Sequence, residues 1–229
     1  MQIQKLRERL KALAEPRFQA FAASLIPGEE HLLGVRLPVL RKLAKEIAAT
    51  NREVIFHEHT PPQSMEECML RGMLPGYAAN NIGINQRLSE LACFVPLITN
   101  WSICDSCCAT YKFAREHREQ VWDFLQPYLY SEQEFESRFG LVMLLNHFVQ
   151  QEDWVERIVT LLPKLPFTGY YSEMAAAWLL CEIHLRYPHQ ALKLVAANSP
   201  LSPTIIARTQ RKIRESRRNY INAHRRQKL

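Results

Sequence analysis

Ser131-Glu132-Gln133-Glu134, followed by an apolar-rich run to Phe148, decides how the rest of the chain is read. A Ser with a Glu three residues later is the capping-box signature of a helix start. The stretch therefore predicts a long helix from Ser131 through Phe148. Comparable segments open at Asn100, 31 residues earlier, and at Gly169, 38 residues later. Between and around them lie further helix-period segments: Leu6 to Leu13, Arg17 to Leu25, Val39 to Ala49 behind Pro38, Ile84 to Val95, Arg118 to Tyr130, Trp154 to Leu162 and His189 to Ala197. Ser64-Met65-Glu66-Glu67 repeats the capping box, and Pro203 opens a last helix. Strand-like alternation is nearly absent, and Gly occurs only seven times.

Helices of about 10 to 18 residues joined in pairs, with a drifting period of roughly 30 to 40 residues, mark an α-solenoid of the HEAT or armadillo kind. The expected fold is all-α: stacked antiparallel helix pairs around a concave groove, in a single domain over residues 1–229. A plain helical bundle is the alternative, because the units share no obvious sequence identity. The segment Asn51 to Gln63, with Pro61 and Pro62, reads as the one long loop.

Composition narrows the class. The chain has 229 residues and 47% hydrophobic content, normal for a globular protein with a sizeable core. No apolar run reaches the roughly 18 to 20 residues of a membrane span, and the N-terminus lacks a secretory h-region. A cytoplasmic protein, nucleoid-associated in a bacterium, is the expectation, with no membrane partner. Cys104-Asp105-Ser106-Cys107 reads as C-x-x-C, but no second ligand pair follows at zinc spacing. The six cysteines are expected to be reduced and structural, with no metal and no cofactor. The net charge of +6 is concentrated: Arg208 to Leu229 holds nine Lys or Arg against Glu215 alone, so the remainder is slightly acidic. Such a basic helix and tail suits phosphate contacts, although a solvated terminal helix has the same composition.

The most distinctive local feature is Asn100-Trp101-Ser102-Ile103-Cys104-Asp105. On a helix, Trp101 and Asp105 share a face one turn apart. An indole plane beside a carboxylate suits a group that is cationic or becomes so. The bland alternative is a core Trp and an Asp that favours the helix dipole. The helices from Ser131 and Gly169 add Arg138 and Trp178, which could equally be a partner of Glu134 and a core filler beside Ala175-Ala176-Ala177.

Leu33-Gly34-Val35-Arg36-Leu37-Pro38 with Arg41, Asn100-Trp101-x-x-x-Asp105-Ser106, Arg138-Phe139-Gly140, the Ala-x-x-Trp178 segment and Lys212-Ile213-Arg214-Glu215-Ser216-Arg217-Arg218 together resemble the DNA-alkylation-repair family of HEAT-like repeat DNA glycosylases (AlkD-like proteins). The resemblance implies binding of double-stranded DNA and excision of cationic N3- and N7-alkylated purines without metal or cofactor; a monomer is the expectation. It implies Asp105 as the catalytic carboxylate, Trp101 and Trp178 as aromatics against the lesion sugar, and Arg138 as a groove arginine. Arg208, Arg211, Lys212 and Arg214 are the expected DNA contacts of the closing segment. The chain departs from the pattern at Ser102, where many members carry an acid. An N-terminal aromatic that is Tyr elsewhere is Phe18 or Phe21 here. Two other functions fit a helical solenoid: a catalytically silent binder of distorted or branched DNA, and a protein-binding scaffold with Trp101 and Trp178 as anchors.

Overall fold

The computed structural model describes residues 3–50, 60–79, 81–196 and 198–216. Among them are twelve α-helices, three short 3-10 turns and no strand. The chain is therefore all-α, as the periodicity requires. Its contacts cluster into two compact units, Met1–Phe124 and Leu125–Leu229.

The N-terminal unit holds α1 (Ile3–Ala12), α2 (Pro16–Leu25), α3 (Leu37–Thr50), α4 (Met65–Tyr77), α5 (Ile84–Phe94) and α6 (Trp101–Cys108). It ends within α7 (Arg118–Leu129). Leu40, Leu43, Ala44 and Ile47 give α3 a stripe at helical spacing, and that stripe is buried. It packs on α4, which also contacts α5 and α6. The central helix α4 is buried from Met65 to Pro75. Gly72 permits this crowding: a Cβ there would fall 2.2 Å from Phe94 and 2.7 Å from the Cys107 sulfur.

A helix enclosed on all sides must also satisfy its polar groups internally. The Ser64 hydroxyl accepts from the Glu67 N–H, the N-cap half of the predicted capping box. The Glu67 carboxylate instead accepts from Arg7, Arg71 and the Gln63 N–H. Burial pushes the Glu67 carboxyl up, but these donors outweigh it and hold the group below its ordinary range. At the other end of α4, Pro75 and the turn after the helix leave carbonyls without helical partners. Arg87, itself buried, donates to the carbonyls of Pro75, Ala78, Ala79 and Ile82.

The C-terminal unit holds α8 (Glu134–His147), α9 (Glu152–Leu161), α10 (Tyr170–Arg186), α11 (Pro188–Val195) and α12 (Pro203–Glu215). Its axis is α10, which packs against α8, α11 and α12. Helix α8 is buried over most of its length, so its apolar residues extend around the helix, whereas α10 buries eight of its 17 residues.

Two sequence expectations change here. The segment from Asn100 forms a helix of eight residues, the shortest of the three repeat starts rather than a long one. The helix expected to open at Ser131 begins at Glu134, with Gln133 as its N-cap. Ser131 accepts from the Gln133 N–H and donates to Glu136, and the Glu134 carboxylate leaves its own helix to accept from the Tyr171 N–H at 2.6 Å. The predicted loop from Asn51 lies outside the described residues as far as position 59, as does the basic tail beyond Ser216.

Candidate active site

Helix α6 starts where the sequence places it. The Asn100 side chain accepts from the N–H groups of Ser102 and Ile103, the two orphan donors a good N-cap satisfies. Its amide donates to Glu29 at 2.8 Å, tying the cap to the segment after α2. From this start the residues divide cleanly. Ile103, Cys104, Cys107 and Cys108 are buried, while Trp101, Ser102, Asp105 and Ser106 lie on the partly exposed face. Four apolar residues at this spacing turn the opposite stripe outward. Asp105 therefore does not point into the core.

Trp101 is anchored at its polar edge, where the indole N–H donates to the Leu25 carbonyl at 3.3 Å. This contact brings α6 against α2. Between them lies a cavity of about 170 Å³ with Trp101, Ser102 and Ser106 on one wall and Phe18, Phe21 and Leu25 on another. Both candidates for the N-terminal aromatic thus reach the Trp101 cavity, and Phe21 is the more exposed at 59%.

The floor of this cavity includes a buried carboxylate. Glu66 accepts from the N–H groups of Leu33, Gly34 and Val35, with the Gly34 bond at 2.7 Å. Gly34 has φ +91°, and a Cβ there would sit 2.6 Å from Gln19. Only glycine fits this turn, which presses the loop against α2. The motif residues Leu33 to Val35 are thereby explained as a carboxylate nest that supports the helix of Phe18 and Phe21.

The thiols on α6 belong to the core. Burial pushes Cys107 and Cys108 well above the ordinary thiol range, and for Cys108 the neighbouring Cys104 and the Asp105 charge add to the effect. Cys68 is pushed up to about 12, chiefly by burial. Such thiols are poor nucleophiles and poor metal ligands. None of the six cysteines is in a disulfide, and among the described residues no three His, Cys, Asp or Glu side chains converge on a possible metal position. No helix of the described residues is long and apolar enough to cross a membrane.

The C-terminal unit holds the other expected site residues. Arg138 is 6% exposed, donates to the Tyr171 carbonyl at 2.9 Å and lies over the Tyr171 ring. Together with Glu134 it grips both the carbonyl and the N–H of one residue at the start of α10, rather than pairing with Glu134 itself. Trp178 is 36% exposed, the third member of a stripe with Tyr170 and Met174 at four-residue spacing. Arg208 is salt-bridged to Glu173 and stacks on Tyr170, 4.6 Å from its ring centroid. Arg211 pairs with Glu215 at 2.8 Å. These two arginines share a surface cavity of about 420 Å³ with Lys212, Tyr170 and Met174, and Arg214 is exposed nearby on α12. Tyr170 and Glu66 were not among the residues singled out from sequence. The Gly169-Tyr170-Tyr171 run was a visible signal for the first; nothing local distinguishes Glu66 from Glu67.

The expected residues are therefore grouped as Trp101 with Asp105 in one unit, and Arg138, Trp178 and the α12 cations in the other. No curated protein and no solved structure matches the chain. The family model described as DNA alkylation repair enzyme matches residues 6–212. That span contains both groups of residues except Arg214, and the chain belongs to the DNA alkylation repair enzyme family.

Proposed function

We propose that the protein is a monofunctional DNA glycosylase that hydrolyses the N-glycosidic bond of cationic N3- or N7-alkylated purines in duplex DNA. The observation that carries this reading is the outward stripe of α6, where Trp101 and Asp105 stand together in a chain of an alkylation-repair family. Alkylation at N3 or N7 makes the purine a cation, so it departs as a neutral base and needs no general acid. The charge left behind is on an oxocarbenium-like sugar. The Asp105 carboxylate stabilises that charge and orients the water that adds to the anomeric carbon. The Trp101 face favours the same developing cation. Phe18 and Phe21 line the apolar side of the Trp101 cavity, where a tyrosine hydroxyl is replaced by hydrocarbon. In the C-terminal unit, Trp178 offers a second indole to the lesion strand. Arg138, Arg208, Arg211, Lys212 and Arg214 serve the backbone phosphates. We read the helix pairs as HEAT-like repeats and the active form as a monomer without metal or cofactor.

The test is release of 7-methylguanine from methylated duplex DNA. Wild type releases the base, and Asp105→Asn lowers the rate by roughly 10²–10³-fold, the usual cost of one transition-state charge partner. Equal rates remove Asp105 from the mechanism. Absence of release by wild type removes the enzyme reading and leaves a DNA-binding protein for distorted or branched duplexes.

A further inference from the structure

Helix α3 carries two cations that the charge balance of the chain does not bring to notice. Arg41 and Lys45 are four residues apart and share a face beside the buried Leu40–Leu43–Ala44–Ile47 stripe. The Arg41 Nε is buried and has no hydrogen-bond partner among the described residues. Neither Arg41 nor Lys45 is in a salt bridge there. Their neighbours on α3 differ: Glu46 is bridged to Arg9, and the Lys42 charge acts on Glu46.

What Arg41 and Lys45 share is Tyr77 at the end of α4. The Lys45 ammonium lies 5.4 Å from the Tyr77 ring centroid. Burial raises the Tyr77 hydroxyl above its ordinary range, and the Arg41 charge partly offsets this, so the guanidinium is within electrostatic reach. The preceding Gly76 abuts Thr110, whose side chain would lie 2.2 Å from a Cβ there, two residues beyond α6. The cluster is thus built against the far end of the helix that carries Asp105.

Two cations and a phenol without a carboxylate among them are an anion site, and a buried guanidinium nitrogen without a partner is costly unless a ligand meets it. We propose that Arg41, Lys45 and Tyr77 form a phosphate-binding site on the N-terminal unit that holds the DNA backbone. The identity of the ligand as duplex rests on the DNA-repair reading; the site itself rests on the side chains.

The experiment is binding of an undamaged duplex oligonucleotide across a salt series, read by fluorescence anisotropy, with no base release required. Arg41→Gln and Lys45→Gln are each expected to lower the slope of log affinity against log salt by about 1, the signature of a lost phosphate contact. Arg41→Lys retains the slope if charge alone is needed. Lys42→Gln removes the same charge one residue away from the face and is expected to leave the slope near wild type. Equal slopes for wild type and both glutamine variants overturn the site, and so does an equal loss in Lys42→Gln, which marks a diffuse field. Inorganic phosphate at matched ionic strength is expected to compete no better than chloride; selective displacement by phosphate marks a free-anion site and overturns the duplex assignment. Melting curves report folding, and Lys45→Gln, at an exposed position, carries the test if Arg41→Gln fails to fold. Failure of wild type to bind duplex at low salt sinks the DNA-repair reading as well, whereas binding with unchanged variants sinks only this site.

Discussion

The two units treat charge in opposite ways. The N-terminal unit buries Arg7, Glu66, Glu67, Arg71 and Arg87, and each holds backbone or another buried charge. Among the described arginines and carboxylates of the C-terminal unit, only Arg138 is so deeply buried; the ion pairs Arg186–Glu182, Arg208–Glu173 and Arg211–Glu215 are at least partly exposed. Counting charge along the chain assigns the cationic function to the C-terminal segment. Pairing adds to that count, because Arg208 and Arg211 have carboxylate partners while Arg41 and Lys45 on α3 have no salt bridge among the described residues.

This contrast can be broken by mutation. The largest expected effect on stability is at Arg7. Arg7→Ala leaves the Glu67 carboxylate in the interior with one fewer cation, and the cost is about 3–5 kcal/mol, measured by urea unfolding. The same cluster sets an acid limit. Because Glu67 titrates below its unfolded value, its stabilisation is complete above the unfolded carboxyl range. It is lost as the pH falls below roughly 4.3, toward the folded value. Wild type is therefore expected to lose stability through that window. Arg7→Ala, lacking the main cause of the depression, is expected to show a shallower acid dependence. Equal acid slopes in the two proteins would remove Arg7 as the cause.

Glu66→Gln is next. It keeps the shape but replaces one accepting oxygen of the Leu33–Val35 nest by a donor, at a cost of about 1–3 kcal/mol. Since the nest supports the Phe18–Phe21 wall, the variant is expected to lose protection of the Gly34 and Val35 amides in hydrogen exchange while α10 stays protected. Loss of protection in both units would contradict a local role. Arg211→Ala is the smallest. Its partner Glu215 is also on the surface of α12, so melting temperature is expected to stay unchanged. A clear drop would show that surface pairing in the C-terminal unit matters as much as burial does in the other.

Legibility followed the range of the interactions. The Asn100 cap and the Trp101–Asp105 face were readable, because a cap acts within three residues and a helical face repeats every three or four. The Ser131 box looked equally good and was misplaced by three residues. Its Glu134 finds a better partner in the Tyr171 N–H, 37 positions away. The bland alternative for Arg138, a pair with Glu134, likewise overlooks the Tyr171 carbonyl to which Arg138 donates. The short length of α6 was not readable either. It ends where Tyr111, wholly buried, donates its hydroxyl to the Gly72 carbonyl on α4.

The sequence by itself determined that the chain is helical, where most helices begin, and which residues of α6 turn outward. Those properties come from caps and hydrophobic periods, whose energies are local. Only the tertiary structure decided which charges pair across separate helices, as Arg7 does with Glu67. It also decided that Phe18 and Phe21 share a cavity with Trp101, and that Lys45 lies over the Tyr77 ring. Each of these depends on side chains brought together from separate helices, and the partner of a charge is chosen by distance and burial in the folded chain rather than by order along it.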